Sequence, residues 1–489
     1  MGKLIPVIIA AALLATVFVP AMSAASPSST GTGTKTPIKH VVEIIMENHA
    51  FDNLFGVYPF VNGFSGGNPY NLTVPLNLMS LHNPSILGQL KAIPNGTYHS
   101  KNPIEGYIAY HGDWNHGKMN GFANYSGLQS MSYFTASQLA PLWDIAEQYA
   151  LADNYYASVL SETSPNRLYN IAGFSPVLND YGPPPYIPFN ETIFGELQNH
   201  GVSWGYYDYN ASRGSPTLDF IQGMGQHSSQ VRSWSSFYSA LGNGTIPAVS
   251  YLMPVGGGET GYDMGSPENV LKGEMWLWYT MNSIMSSPVW NSTAVFLTFD
   301  EGGGFYDQAS PPVLAGHLLG QRIPMILISP YAKENYVSST EMNHASMLAF
   351  IDYNWNLPAL NHFVSVSNLP LDMFNFGIPY SNGQIARSPL IFSSGANFTV
   401  PSSAYFSLGS SPPSVAGTFP MKPQIPFNEL NYSRTGSSNV NLSQSSTTYY
   451  VNSDGASSPF YTSPYVIGAL IAVDAAIVIS AALLIRRGG

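Results

Sequence analysis

Short apolar runs alternate with stretches of helical periodicity between residue 38 and about residue 375. Runs rich in Val, Ile, Phe and Tyr predict six strands, at His40–Met46, Asn154–Leu160, Val202–Tyr207, Ala248–Met253, Thr293–Phe299 and Ile323–Ser329. Amphipathic stretches predict helices at Leu139–Ala150, Pro165–Ala172, Thr192–Asn199, Glu274–Met285 and His344–Trp355. Because strands that alternate with helices build largely parallel sheets covered on both faces, we expect an α/β fold.

Apolar segments of a different kind lie at the two ends of the chain. Residues 1–25 contain the positive Lys3, then an apolar stretch, and then small residues that suit a cleavage site. This pattern predicts a signal peptide, with an uncleaved anchor as the alternative. Residues 465–485 are long and apolar enough to cross a bilayer, and Arg486 and Arg487 follow them. We therefore predict a transmembrane helix with a cytoplasmic tail at 486–489, although Asp474 leaves a buried helix end as the alternative.

Segments of low complexity separate these ends from the predicted domain at 38–375. Residues 26–37 are predicted to be a linker, 376–434 an extended segment wrapping the domain, and 435–464 a Ser/Thr-rich stalk. Ten Asn-x-Ser/Thr sequons lie in the part of the chain predicted to be outside the cell, as expected for a glycoprotein. The arrangement predicts a single-pass protein of the cell membrane whose main domain is extracellular.

Composition narrows the choice of partners and chemistry. A formal net charge of −11 and the absence of any Lys/Arg cluster argue against nucleic-acid binding. The chain has no Cys, which excludes disulfides, thiol catalysis and cysteine metal sites. Charged residues are only 9% of the chain. From this low fraction we hypothesise that the protein faces an acidic medium outside the cell, in which carboxylates are protonated and lose their charge.

Oxygen-bearing side chains follow two of the buried strands. Glu47 and Asn48 come directly after the first strand, and Asp300 and Glu301 come after Thr293–Phe299, ahead of three glycines. Parallel strands end at one edge of a sheet, where α/β proteins place their ligands, and such oxygens suit a divalent cation. A solvated turn or helix caps are the alternatives for these residues.

A hydroxyl-rich segment follows the second predicted strand. Pro165 suits the first position of a helix and Ser164 the cap before it, which places Thr163 at a helix N-terminus that favours anions. A hydroxyl there can attack phosphorus when a metal lowers its pKa, and Arg167 could clamp phosphate oxygens. An ordinary Ser/Thr cap beside a surface Arg is the alternative. Together with the two acidic clusters, the segment predicts a metal-assisted phosphoryl-transfer site.

Several blocks of the chain resemble a known family in the family's order. They are His40–Gly56 (HVVEIIMENHAFDNLFG), His111–Phe122, Ser158–Leu168, Thr298–Pro312, Arg322–Lys333 and Asn343–Leu357. The family is that of phosphoesterases including phosphatidylcholine-hydrolysing phospholipases C and bacterial acid phosphatases, in the alkaline-phosphatase-like superfamily. The resemblance implies a three-layer α/β/α sandwich over roughly residues 38–375.

The resemblance also implies roles for individual residues. Metal ligands would be Glu47, Asn48, Asp300, Glu301 and Thr163, with Thr163 also the nucleophile. Arg167 would act in catalysis and substrate binding, and Asn166 and His111 would bind substrate. His344 is similar to a histidine of a late block, and either His344 or Asp307 would move protons at the leaving group.

Four departures from the family pattern concern histidines, one of which is Gln308, in place of the His that follows the Asp matching Asp307 in the family. Many members have a His directly after the Asp-Glu pair, where this chain has Gly302. Glu105 stands where relatives have a further His, and the segment around Asp263 lacks the His expected there. Either Glu105, Asp263, Asp307 and His344 take over these tasks, or the chemistry differs or is weak.

We therefore expect a metal-dependent phosphoesterase of the phospholipase C or acid phosphatase type that works outside the cell. Its substrate would be a phosphate ester, with phospholipids among the candidates, and its cofactor a divalent metal ion of unknown identity. The alternative is a non-catalytic surface or envelope binding protein on a decayed phosphoesterase fold.

Overall fold

A computed structural model describes residues 33–377 of the protein apart from 59–60, 64–98, 136–137, 181–185, 210–215 and 257–260. Within 64–98 and beyond 377, it describes only short strands. The predicted signal peptide, transmembrane helix and tail, and nearly all of the predicted wrapping segment and stalk, lie outside the described residues. No helix in the described residues is long and apolar enough to span a bilayer.

One mixed sheet forms the centre of the fold. Its strands are β1 (His40–Met46), β2 (Ala150–Ala152), β3 (Trp204–Asp208), β4 (Val231–Ser233), β5 (Val249–Leu252), β6 (Thr293–Phe299), β7 (Met325–Ile328), β8 (Tyr336–Ser338) and β9 (Ser433–Thr435). Their order across the sheet is β4-β3-β5-β1-β6-β7-β2-β8-β9. Strand β7 runs antiparallel to both neighbours, β6 and β2, and the other described pairs are parallel.

Ten α-helices are described. They are α1 (Phe51–Phe55), α2 (Tyr107–Trp114), α3 (Phe122–Tyr125), α4 (Ala140–Gln148), α5 (Thr163–Ala172), α6 (Ile193–Asn199), α7 (Trp234–Gly242), α8 (Val270–Met285), α9 (His344–Trp355) and α10 (His362–Val366). Six 3₁₀ helices lie at Leu128–Met131, Phe189–Glu191, Pro216–Phe220, Met224–Gln230, Trp290–Ser292 and Pro370–Met373.

Short strand pairs complete the described secondary structure. They join Val74–Pro75 to Gln89–Leu90, Ile93–Pro94 to Ser132–Tyr133, Tyr155–Tyr156 to Met342–Asn343, Ile187–Pro188 to Ile221–Gln222, Val313–Leu314 to His317–Leu318, and Tyr380–Ser381 to Gln384–Ile385.

Both faces of the central strands are covered. Every residue of β6 is buried, and so is every residue of β1 after His40, although neighbouring side chains of a strand point to opposite faces. Helices α5, α6, α9 and α10 pack with one another, and α4, α7 and α8 form a second group. The predicted α/β fold with a mostly parallel sheet is therefore confirmed, with β7 as its antiparallel exception.

The predicted bounds were right for the most apolar elements and wrong for one strand. Strands β1 and β6 and helix α9 begin and end where the pattern placed them. The strand predicted at Asn154–Leu160 is wrong, because the sheet strand is β2, at Ala150–Ala152. Tyr155–Tyr156 pairs outside the central sheet, and the chain reaches α5 through a long loop.

Candidate active site

Two acidic residues stand side by side where β1 and β6 end. The strands pair in parallel, with Met46 opposite Phe299, and the next residues are Glu47 and Asp300. Asp300 is fully buried, and its Oδ1 accepts a hydrogen bond from the backbone N–H of Asn48 at 3.0 Å. The register of the sheet therefore fixes the position of both carboxylates.

Thr163 begins helix α5 and contacts the first of these acids. Its Oγ1 donates a hydrogen bond to Glu47 Oε1 at 2.9 Å. The helix begins two residues before Pro165, and the N-cap is Glu162. The expected cap at Ser164 is therefore wrong, but the prediction that Thr163 lies at a helix N-terminus is confirmed.

Arg167 lies one helical turn after Thr163 and joins the two strand-end acids. Its Nη2 pairs with Glu47 Oε2, and its Nε donates to Asp300 Oδ2 at 3.0 Å. Burial and the charge of Asp300 raise the pKa of Glu47 well above its ordinary value, and Arg167 opposes that rise. Arg167 is 9% exposed, so its charge acts where water screens it little.

Asn48 and Glu301 line the other side of this edge. Asn48 has a left-handed backbone, with φ 58°, and its buried side-chain oxygen has no hydrogen-bond partner. Glu301 accepts from Tyr110 at 2.9 Å and from the N–H of Gly303 at 2.5 Å. Its pKa is raised well above the ordinary value by burial and by the charges of Glu105 and Asp300.

The donors of this edge suit a divalent cation in their chemistry. Arg167 pairs with the carboxylates of Glu47 and Asp300, Glu301 is the next residue of the chain, and the Asn48 side-chain oxygen has no partner. These are the hard oxygen ligands that Mg²⁺, Ca²⁺ and Mn²⁺ prefer. Across the described parts of the chain, however, no three acids or histidines are arranged for metal coordination. Metal binding would therefore require Arg167 to release at least one carboxylate.

Comparison with known proteins places this arrangement in a family. A model of the phosphoesterase family matches residues 38–358, which include the strand-end acids, Thr163 and Arg167. The chain belongs to the phosphoesterase family. The blocks that carried the resemblance in the sequence thus identified the family correctly.

Curated relatives of this phosphoesterase carry the names of phospholipases C. A non-hemolytic phospholipase C of Burkholderia pseudomallei is 26% identical, over 68% of this chain and 57% of that protein. Phospholipase C A of Mycobacterium tuberculosis is 25% identical, over 71% of this chain and 79% of that protein. Non-specific phospholipase C1 of Arabidopsis thaliana is 26% identical, over 67% of this chain and 68% of that protein. The chain thus spans little more than half of the Burkholderia protein.

One solved structure is similar to the fold at a low level. A protein in the alkaline phosphatase superfamily from Vibrio parahaemolyticus aligns with 57% of this chain and 74% of its own, at 12% identity and a TM-score of 0.31. A score of this size does not define the fold, which rests on the sheet described above.

Asn166 contacts the loop that leads to Thr163. Its Oδ1 accepts from the N–H of Val159 at 3.0 Å, and its Nδ2 donates to the carbonyls of Ser161 at 2.8 Å and Glu162 at 3.0 Å. The side chain is fully buried. The structure thus gives the expected substrate ligand a different set of partners, which hold the loop before Thr163 in place.

His344 lies behind the strand end as the first residue of α9. Its Nε2 lies 3.0 Å from the carbonyl of Phe299, and because a carbonyl only accepts, Nε2 carries the proton. Its Nδ1 is buried without a hydrogen-bond partner. Burial lowers its pKa to about 4, so the ring is neutral above that pH. His344 thus contacts Phe299, the residue directly before Asp300. None of the described hydrogen bonds joins His344 to Thr163.

Asp307 belongs to a separate buried ion-pair cluster. Its Oδ1 accepts from Arg322 Nε at 3.0 Å, and Arg322 Nη2 also pairs with Asp52 at 2.9 Å. The N–H groups of Asp52 and Ala309 donate to Asp307 as well. Asp307, Arg322 and Asp52 are all fully buried. The structure therefore does not bring Asp307 together with Thr163, and its contacts are those of a structural residue.

His111 lies on α2, on the outer side of the edge. Its Nδ1 donates to the carbonyl of Tyr107 at 2.8 Å, and the two ring centroids are 3.9 Å apart. The ring is half-buried, and burial lowers its pKa. The neighbouring residue of the helix, Tyr110, reaches Glu301 instead. Sequence reasoning missed Tyr110, and only its place directly before the His111 block could have suggested it.

The structure shows the contacts of Gly302, Asp263 and Glu105, where the chain departs from the family pattern. A Cβ at Gly302 would overlap the side-chain amide of Gln321, so a histidine at this position would require Gln321 to move. The backbone carbonyl of Asp263 accepts a hydrogen bond from the N–H of Glu47 at 2.8 Å, and burial beside Glu268 raises the pKa of the Asp263 carboxyl to about 8. Glu105 lies against Asn48, and burial with the charge of Asp300 raises its pKa to about 7.

Proposed function

We propose that the chain is a phosphoesterase that hydrolyses phosphoric ester bonds through Thr163, with phospholipids as its substrate class. The observation that carries the proposal is the hydrogen bond from Thr163 Oγ1 to Glu47 at the N-terminus of a ten-residue helix. The N-terminal N–H groups of such a helix attract phosphate, and a carboxylate that accepts the hydroxyl proton activates the nucleophile. The names of the curated relatives support a phospholipase C type of reaction.

In the first step, Thr163 Oγ1 forms a bond to phosphorus and its proton passes to Glu47. The ester bond between phosphorus and the leaving oxygen breaks, which leaves a phospho-threonine. A divalent cation held by Glu47, Asn48, Thr163, Asp300 and Glu301 would stabilise the developing charge and lower the pKa of the hydroxyl. Once free of a carboxylate, Arg167 would pair with phosphate oxygens.

The leaving oxygen needs a proton, and we assign this task to Glu105. Asp307 is held by Arg322, and the Nε2 proton of His344 is held by the carbonyl of Phe299. Glu105 has a buried oxygen without a hydrogen-bond partner, beside Asn48. In the second step, water forms a bond to phosphorus and the bond between phosphorus and Thr163 Oγ1 breaks. Ionised Glu105 takes a proton from that water while Glu47 returns its proton to Thr163 Oγ1, which restores both groups.

Hydrolysis of soluble esters tests the function directly. We expect the full chain to cleave a chromogenic phosphodiester or phosphomonoester and phosphatidylcholine, and to lose activity with chelator. Thr163→Ala should lower kcat by at least roughly 10³-fold, because the nucleophile is gone, while Thr163→Ser should retain measurable activity. Unchanged activity in Thr163→Ala would rule out the mechanism, and wild type without activity or bound metal would favour a binding protein on this fold.

We also propose that the domain works outside the cell, anchored through residues 465–485. The support is the apolar length of that segment, the two arginines after it and the signal-like residues 1–25. Protease added to intact cells should remove the domain, and protection from protease would contradict this placement.

A further inference from the structure

Large apolar side chains are exposed in a group on one side of the molecule. Nine such side chains are exposed in the part of the chain that the structure describes, and four come from residues 104–128. They are Ile104, Ile108, Tyr125 and Leu128, with exposed fractions of 59%, 66%, 42% and 50%. Grouped exposed apolar side chains of this kind mark interaction surfaces.

Backbone contacts show that these residues are neighbours. The N–H of Ile104 donates to the carbonyl of Ser126 at 3.0 Å, between Tyr125 and Leu128 in the chain. The Gln129 amide donates to the carbonyl of Asn102 at 3.3 Å, so the two segments run side by side. Ile108 lies four residues beyond Ile104, in the first turn of α2.

This surface borders the catalytic edge. Glu105, directly after Ile104, lies against Asn48. A Cβ on Gly304 would lie 2.9 Å from the carbonyl oxygen of Ile104, so the glycine loop after Glu301 packs against the same segment. A fifth exposed side chain, Leu178, is 43% exposed, and its carbonyl accepts from Ser161 in the loop before Thr163. We call Ile104, Ile108, Tyr125, Leu128 and Leu178 the apolar rim.

We propose that the apolar rim docks the catalytic edge onto the surface of a zwitterionic phospholipid bilayer. Aliphatic side chains and a tyrosine suit the boundary between head-groups and acyl chains, where apolar burial provides the binding energy. The net charge of −11 and the acids Glu105 and Glu162 at the edge disfavour an anionic surface. The choice of a lipid partner rests on the proposed function, but docking itself requires no catalysis.

Site-specific fluorescence tests docking without relying on activity. Because the chain has no Cys, Ile108→Cys gives one labelling position for an environment-sensitive dye on the full chain. The matched control is Val366→Cys, which is 36% exposed at the end of α10. Helix α10 packs against Gly173, at the end of α5 remote from Thr163, and the rest of the chain is the same in both variants.

With phosphatidylcholine vesicles, we expect a blue shift and quenching by bilayer-embedded quencher at residue 108, and neither at residue 366. Equal responses at both positions, or none at 108, would overturn the proposal. A shift at 108 that depends on protein concentration without vesicles would also overturn it, because a second copy of the chain would then cover the rim. These readouts stand even if the chain hydrolyses no ester.

Rates on lipid provide the second readout. Ile108→Ser with Leu128→Ser should lower hydrolysis of phosphatidylcholine vesicles at least about tenfold, because two apolar anchors are lost. Hydrolysis of a soluble chromogenic ester should stay within about twofold, and Val366→Ser should change neither rate. Equal losses on both substrates, or none on vesicles, would contradict docking. Absence of soluble-ester hydrolysis in wild type would instead contradict the proposed function.

Discussion

The two carboxylate oxygens of Glu47 contact two different residues, Thr163 and Arg167. Its Oε1 accepts the Thr163 hydroxyl, and its Oε2 pairs with Arg167. Raised basicity from burial suits Glu47 to take a proton, and the guanidinium keeps it from being protonated too readily. The negative charge of Asp300 and the positive charge of Arg167 thus act in opposite directions on the pKa of Glu47.

The assignment of Glu105 predicts a leaving-group effect. Glu105→Gln removes the proton that an alcohol needs on departure, while a nitrophenolate leaves without one. We therefore expect kcat/KM, which reports the first step and not the later attack of water, to fall about 10²-fold or more for an alkyl phosphoester and less than tenfold for a nitrophenyl ester. Kinetics on the two substrates measure this difference. Equal losses on both would show that Glu105 serves another purpose, such as holding Asn48.

Helix α5 shows how one element carries several parts of the site. Thr163, Arg167 and Asn170 lie on one face of the helix, at positions i, i+4 and i+7. Opposite them, Glu43 lies within β1 and Glu47 follows directly after the end of the strand, four residues further on. Asn170 Nδ2 donates to Glu43, as Thr163 and Arg167 contact Glu47. The helix is therefore fixed on the strand at two points along its length.

The loop before α5 predicts a stability effect at Asn166. Asn166→Ala removes three hydrogen bonds to buried backbone groups, so we expect the free energy of unfolding to fall by about 2–4 kcal/mol. We also expect kcat to fall with little change in KM, because Thr163 loses its position. Denaturant unfolding and steady-state kinetics measure both effects.

Asn282 of α8 provides the matched control for that change. Its amide is half-buried and donates to the carbonyl of Trp278 at 2.9 Å, within the same helix. Asn282→Ala should cost less than about 1 kcal/mol and leave kcat unchanged. If the two variants behave alike, the loop does not depend on Asn166.

Elements of this fold differ in how far the sequence determines them. Uniform apolar runs identified β1 and β6 to the residue, since burial on both faces demands such runs. The apolar run at β7 predicted a strand but not its antiparallel direction, because the hydrophobicity of the side chains does not indicate in which direction a strand runs. The predicted helix Leu139–Ala150 ends on Ala150, the first residue of β2, and no element is predicted at 151–152, since a strand this short leaves no clear period.

The candidate site divides in the same way. Neighbouring parallel strand ends brought Glu47 and Asp300 together as expected, since register follows from pairing. The partners of Arg167 and of Asp307 were not predictable, because each ion pair joins residues far apart in the chain. Such pairs depend on tertiary packing and leave no local pattern.

At the scale of the whole molecule, buried carboxyl groups make stability depend on pH. Burial raises the pKa of Glu43, Asp113 and Asp352 to about 8 each. None of the three is a proposed metal ligand. The folded chain therefore holds protons that the unfolded chain releases at ordinary values near 4.

The sign of the effect follows from that difference in pKa. Below about pH 4 both states are protonated and the stability is complete, whereas between about pH 4 and 8 only the folded state keeps the protons. Stability is therefore lost as pH rises through this window, by up to about 1.4 kcal/mol per pH unit for each group. We expect the metal-free chain to unfold more easily at pH 8 than at pH 5, which fits the hypothesis of an acidic exterior.

Glu43→Gln isolates one of these groups. The amide keeps an acceptor for Asn170 and has no proton to lose, so the variant should be more stable than wild type at pH 8. At pH 5, where Glu43 is protonated, the two proteins should differ by less than about 1 kcal/mol. Denaturant unfolding at pH 5, 6.5 and 8 with chelator measures both curves. Parallel curves would mean that Glu43 is ionised in the fold, with Asn170 and Tyr251 compensating its charge, because a neutral Glu43 must make wild type the steeper of the two.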